Sequence, residues 1–116
     1  MIDEKATELG RTLGQSNEYQ ALRRAEQALR EDPEAQQRLE TISRLTGEFD
    51  LMMSQGQQPS EEQAASYETT LREFEMSPPG QAYLVARANV DKLMQRVNQA
   101  IGEGIERGAT SSIITL

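Results

Sequence analysis

Residues 32–59 read DPEAQQRLETISRLTGEFDLMMSQGQQP, a stretch that carries its own start, stripe and stop. Asp32 sets a capping carboxylate directly before Pro33, and Pro loses nothing by lacking an N–H in the first helical turn. Leu39, Ile42, Thr46, Phe49 and Met53 then recur in steps of three and four, the spacing of one helical face, with Leu45 and Met52 on its flanks. Gly56 supplies the stop, and Gln57, Gln58 and Pro59 make a short loop. A helix over roughly 34–55 follows. No strand pattern of comparable length occurs in the body of the chain, so the class is all-α.

Working towards the N-terminus, Ala6, Leu9 and Leu13 mark a first helix from about Asp3 to Leu13. Gly14 and Gln15 end it, and Ser16 is placed to cap a second helix. Tyr19, Leu22, Ala25 and Leu29 form the apolar face of that helix, which runs to Glu31. Towards the C-terminus, Ser60 and Gln63 have the spacing of a capping box. Ala64, Tyr67, Leu71 and Phe74 follow on one face, ending near Glu75 or Met76. Ser77-Pro78 repeats the device of Asp32-Pro33, and each reaches a Leu seven residues on, at Leu84 and Leu39. A common way of starting a helix accounts for this without an internal duplication.

The last face comprises Tyr83, Ala86, Val90, Leu93, Val97 and Ile101, and the helix is expected to decay between Gly102 and Gly108. The tail from Thr110 to Leu116 is β-prone and apolar, and reads as frayed or docked. The expected architecture is a bundle of about five helices in one domain over residues 1–108. Its two long helices, roughly 34–55 and 79–102, pack antiparallel. Apolar positions at Phe49, Leu51, Met52 and Met53 take up too much of the helix circumference for one buried stripe, which makes these four the candidate interface of a homo-oligomer, dimer or higher.

Composition narrows the function classes. The 116 residues include neither Cys nor His, which excludes disulfide frameworks, thiolate or Cys/His metal sites, and any triad with a His base. Twelve Lys and Arg against 19 Asp and Glu leave a net charge of −7, adverse to binding a phosphate backbone. Large aliphatic side chains are few and Trp is absent, so a thin core would gain from a second subunit. No apolar run is long enough to span a membrane, the N-terminus lacks the pattern of a secretory signal, and a cytoplasmic setting is expected.

Candidate chemistry dissolves on inspection. Gly102, Gly104 and Gly108 imitate a dinucleotide fingerprint, but the third Gly comes one residue late and no strand precedes it. Glu31, Asp32 and Glu34, like Glu61 and Glu62, lie in or beside first helical turns, where the macrodipole favours acids. Tyr19, Tyr67 and Tyr83 sit on apolar faces and read as packing residues. No catalytic residue, metal ligand or cofactor is assigned, and no enzymatic activity is expected. Basic residues are scattered among acids, while the helix from Glu61 to Glu75 carries five Glu against Arg72. That surface suits a protein partner, and nucleic acid is not the expected one. An RNA- or small-ligand-associated factor using Arg23, Arg24 and Arg30 is the alternative.

Several elements occur together in a known order: Leu13, Ser16-Asn17-Glu18-Tyr19, Asp32-Pro33-Glu34-Ala35 with Leu39, and Gly56 followed by Pro59-Ser60-Glu61-Glu62. Ser77-Pro78, Tyr83-Leu84-Val85-Ala86, Leu93 and Ile101 continue the series. From about Ala6 to Ile105 the chain resembles the YlbF/YmcA-like family of small helical bacterial regulators, including the YheA-like proteins. The resemblance implies a non-enzymatic cytoplasmic protein that self-associates and regulates through protein partners. A membrane-linked ribonuclease complex is among them, with roles in RNA processing and developmental control. Some members are linked to iron–sulfur clusters held by Cys. This chain has no Cys, so that cofactor is not carried over and the YheA-like branch is the better match.

Overall fold

A computed structural model describes the backbone of residues 1–115 and the side chains of residues 1–110. Five α-helices follow one another: α1 Ile2–Gly14, α2 Asn17–Arg30, α3 Pro33–Ser54, α4 Glu61–Met76 and α5 Pro78–Thr115. No strand occurs among the described residues. The all-α class and the five-helix organisation expected from periodicity are what the chain adopts.

Local chemistry sets the boundaries. The Ser16 hydroxyl accepts the Tyr19 N–H at 3.2 Å and donates to the Leu13 carbonyl at 2.6 Å, tying the end of α1 to the start of α2. Asp32 Oδ1 accepts the Ala35 N–H at 3.1 Å. At α4 the capping box is complete. Ser60 Oγ takes the Gln63 N–H at 3.1 Å, and Gln63 Oε1 takes the Ser60 N–H at 2.8 Å. After α3, Gly56 has φ +75, and Gln57 N–H donates back to the Met52 carbonyl at 2.8 Å, a Schellman closure that needs the left-handed conformation.

Packing pairs a long helix with a shorter one twice over. α2 lies antiparallel along α5: Glu18 meets Arg96 at 3.3 Å, while Ala28 shares a groove with Pro78 and Ala82. α3 and α4 form an antiparallel hairpin, held by Arg38 to Glu73 at 3.4 Å and by an edge-to-face contact of Phe49 with Tyr67, centroids 5.5 Å apart. The long helices α3 and α5 do touch, but over a short stretch, so the main partner of α5 is α2. The ridge that decides this lies on the short helix, where Ala25 and Leu29 are buried.

The core sits where four helix ends converge. Leu29 from the end of α2, Ala35 from the start of α3 and Phe74 from the end of α4 form its centre, with Leu39, Ile42, Tyr83 and Leu84 around them. Phe74 is fully buried and meets Tyr83 edge-on at 6.2 Å. Only seven hydrophobic residues are buried in all among the described residues.

Two expectations need correction. α5 does not decay between Gly102 and Gly108 but continues to Thr115, with Thr110 Oγ1 donating to the Glu106 carbonyl at 2.8 Å. Three Gly residues cost about 1 kcal/mol each relative to Ala, yet none blocks the hydrogen-bond ladder as Pro would, and Ile105, Glu106, Arg107 and Ala109 sustain it. The stretch read as a β-prone tail is therefore helical to Thr115. Its docking or fraying lies outside the described side chains, as does Leu116. The second correction concerns α3, whose buried stripe runs through Ile42, Leu45, Phe49 and Met52 rather than Thr46 and Met53, which are exposed.

Candidate interaction surfaces

The four residues singled out at the end of α3 divide between two environments. Phe49 and Met52 are half-buried on the side facing α4, where Phe49 meets Tyr67. Leu51 and Met53 point to solvent, 61% and 67% exposed. The helical angle accounts for Leu51, which lies about 200° round from Phe49 on the opposite face; Met53 is only about 40° from Phe49 and is left bare because it sits one residue before the end of α3. Two uncovered apolar side chains thus cap the tip of the α3–α4 hairpin, beside the loop at Gly56.

Charge singles out the same hairpin. Residues 48–75 hold Glu48, Asp50, Glu61, Glu62, Glu68, Glu73 and Glu75 against Arg72 alone, a net −6 out of the −7 of the whole chain. Of these acids, Glu73 pairs with Arg38 and Glu48 with Arg44 at 3.1 Å, both exposed contacts that leave the surface acidic. An apolar tip on an acidic hairpin is complementary to a basic surface with an apolar pocket.

The other candidates do not assemble. Arg23 and Arg30 line one open groove on α2 with Tyr19 and Glu26, whereas Arg24 lines a different groove against α5. Arg30 is further engaged by Gln27 Oε1 at 3.0 Å. The three arginines therefore make no single cationic patch. Asp32 is committed to its cap, Glu34 lies 4.0 Å from Arg38, and Glu61 and Glu62 occupy the first turn of α4. No cluster of three acidic side chains able to hold a metal occurs among the described residues. Tyr67 and Tyr83 pack against Phe49 and Phe74, and the Tyr83 hydroxyl accepts from Arg87 at 3.3 Å.

Surfaces that periodicity missed are those whose stripes find no cover. Ile2 and Leu9 on α1, and Ile101 and Ile105 on α5, carry the same helical signal as buried residues but are exposed. Val85, 56% exposed, stands over a shallow groove of about 590 Å³ lined by Ala21, Ala25, Ala28 and Ala82 between α2 and α5. No helix among the described residues is long and apolar enough to cross a membrane.

Comparison with known proteins agrees with this architecture. The family model described as "Control of competence regulator ComK, YlbF/YmcA" matches residues 2–106. A UPF0342 protein of Desulfitobacterium hafniense (strain Y51) is 29% identical over 104 residues, covering 90% of this chain and 79% of that protein. Among solved structures, Bacillus subtilis RicA, crystallised in complex with RicF, superposes with a TM-score of 0.68 at 16% identity, over 93% of this chain and 96% of that one.

Proposed function

Since the chain belongs to the YlbF/YmcA family of competence-control proteins, we propose that it is a non-enzymatic regulatory adaptor whose α3–α4 hairpin docks on a partner protein. The observation that carries this reading is the coincidence, on one element, of nearly all the net charge with Leu51 and Met53 left bare at the tip. Apolar side chains uncovered at a hairpin end mark contact surfaces, and the acidic flanks choose the sign of the partner. Support also comes from the structurally similar RicA, which was crystallised with another protein. A membrane-linked ribonuclease complex of the kind the family resemblance implies is one partner that would fit.

Affinity capture from the native cell tests it. The unaltered chain is expected to retain a protein partner through nuclease treatment. L51A/M53A and a charge reversal, E61K/E62K, are each expected to lower recovery at least tenfold while the helical circular dichroism is unchanged. Nuclease-sensitive recovery that fails instead on changing Arg23, Arg24 and Arg30 would replace the adaptor by an RNA-associated factor.

A further inference from the structure

The seam between α2 and α5 is open to solvent along its length. Its floor near the start of α5 is apolar, built from Ala21, Ala25 and Ala28 on one wall and Ala82, Val85 and Ala86 on the other. Val85 is exposed over this floor. At Asn89 the groove runs on into a second hollow of about 540 Å³, which Lys92 and Arg96 border from α5 and Glu18 from α2. Asn89 lines both, so a single trough follows the seam from Pro78 to Gln99, roughly 32 Å at 1.5 Å per residue.

The trough has the opposite charge to the molecule as a whole. α2 carries Arg23, Arg24 and Arg30 against Glu18 and Glu26, and residues 78–99 carry Arg87, Lys92 and Arg96 against Asp91. Six cations against three acids leave a net +3 on these two segments, in a chain of net −7. Arg24, Lys92 and Arg96 border the trough itself. Arg96 is paired with Glu18, whereas Arg24 and Lys92 make no ion pair among the described residues. An apolar floor and unmatched cations therefore lie along one line.

We propose that this trough seats an acidic amphipathic helix of a partner protein, laid along the seam as the third member of a three-helix bundle. Two packed helices leave a groove that the ridge of a third fills, and the axes settle roughly 8–10 Å apart according to the side chains between them. Alanine on both walls permits the closer approach. A helix of about 20 residues matches the trough in length. Aliphatic side chains at steps of three and four meet the alanine floor and Val85, while Asp or Glu on the flanks meets Arg24 and Lys92. A nucleic acid strand would find the cations but would lie over an apolar floor, on a molecule whose net charge repels it. The seam differs from the hairpin tip in place and in sign. One chain thus holds two different proteins, a basic surface at the hairpin and an acidic helix at the seam.

The probe is a fluorescent 20-residue peptide, held helical by a staple on its outer face, with Leu and Ala on its inner face and Glu on both flanks. Fluorescence anisotropy with the full chain is expected to show it binding at least tenfold more tightly than the same peptide with Lys in place of Glu, and the difference should shrink as salt is added. V85E and R24E/K92E change exposed side chains, and each is expected to weaken binding at least tenfold with helical circular dichroism unchanged. L51A/M53A should bind as the unaltered chain does, which separates this site from the hairpin. In hydrogen exchange, amides of residues 21–28 and 81–92 should slow on adding the Glu peptide, and those of the hairpin should not. Equal binding of the two peptides, no binding, or loss confined to L51A/M53A overturns the proposal. So does displacement of the Glu peptide by a uridine oligonucleotide, which would make the seam a nucleic-acid site. A fall in the light-scattering mass of the chain alone on V85E also overturns it, since a second copy would then be the occupant.

Discussion

At the scale of single residues, the joint between α4 and α5 carries the tightest constraint in the chain. One residue, Ser77, separates Met76 from Pro78, and its hydroxyl donates to the Phe74 carbonyl at 2.7 Å while accepting the Gly80 N–H at 3.2 Å. A Cβ at Gly80 would run into the Phe74 carbonyl oxygen and the Ser77 hydroxyl, and the backbone atom cannot give way as a flexible side chain would. Gly80→Ala is therefore expected to destabilise by about 2 kcal/mol through overpacking, read as a lower midpoint in urea at unchanged slope. Phe74 is the largest fully buried side chain, in a core with few others. Truncation to Ala should cost roughly 3–5 kcal/mol, a large part of the stability of a small domain, and a mostly unfolded variant at 37 °C is the expected outcome by circular dichroism.

Elements behave as their caps and stripes dictate, within limits that particular residues make plain. Asp32, Ser16 and Ser60 were readable as caps because a cap acts within three residues, and each makes the bond its position implied. Asp32→Ala should cost about 1 kcal/mol, and amide exchange should quicken mainly in the first turn of α3. The face of α3 was misjudged by one step, Leu45 being buried and Thr46 exposed, because both positions fit a period of 3.6 and only the seat of α4 selects between them. The end of α5 escaped sequence reading for a different reason. Gly lowers helix stability by degrees and does not forbid the conformation, so a run with Gly102, Gly104 and Gly108 stays continuous when its neighbours favour a helix. The four residues expected together at an interface fall into two environments that the sequence did not separate: Leu51 and Met53 are exposed, while Phe49 and Met52 are half-buried.

The whole molecule is long and thin, 63 × 38 × 19 Å, with its core near the turns and with α1 and the stretch of α5 from Glu103 to Thr110 exposed at the far end. α5 alone extends about 57 Å over 38 residues, which sets the longest dimension. If a second copy supplies the cover that α1 lacks within one chain, folding and self-association are coupled. In that case mass action makes the melting temperature rise with protein concentration, by several degrees over a hundredfold range in calorimetry. A midpoint independent of concentration would show that each chain holds its own stability.

Helix number, caps, acidity and the absence of thiol and imidazole chemistry were decided by residues acting on near neighbours or by composition alone, and needed no folded structure to be seen. The pairing of α2 with α5, the turn of α3 about its axis and the bareness of α1 were not. An apolar stripe states that a helix has something to bury, but the burying surface comes from residues far away in sequence, and only their meeting in space determines whether it is covered.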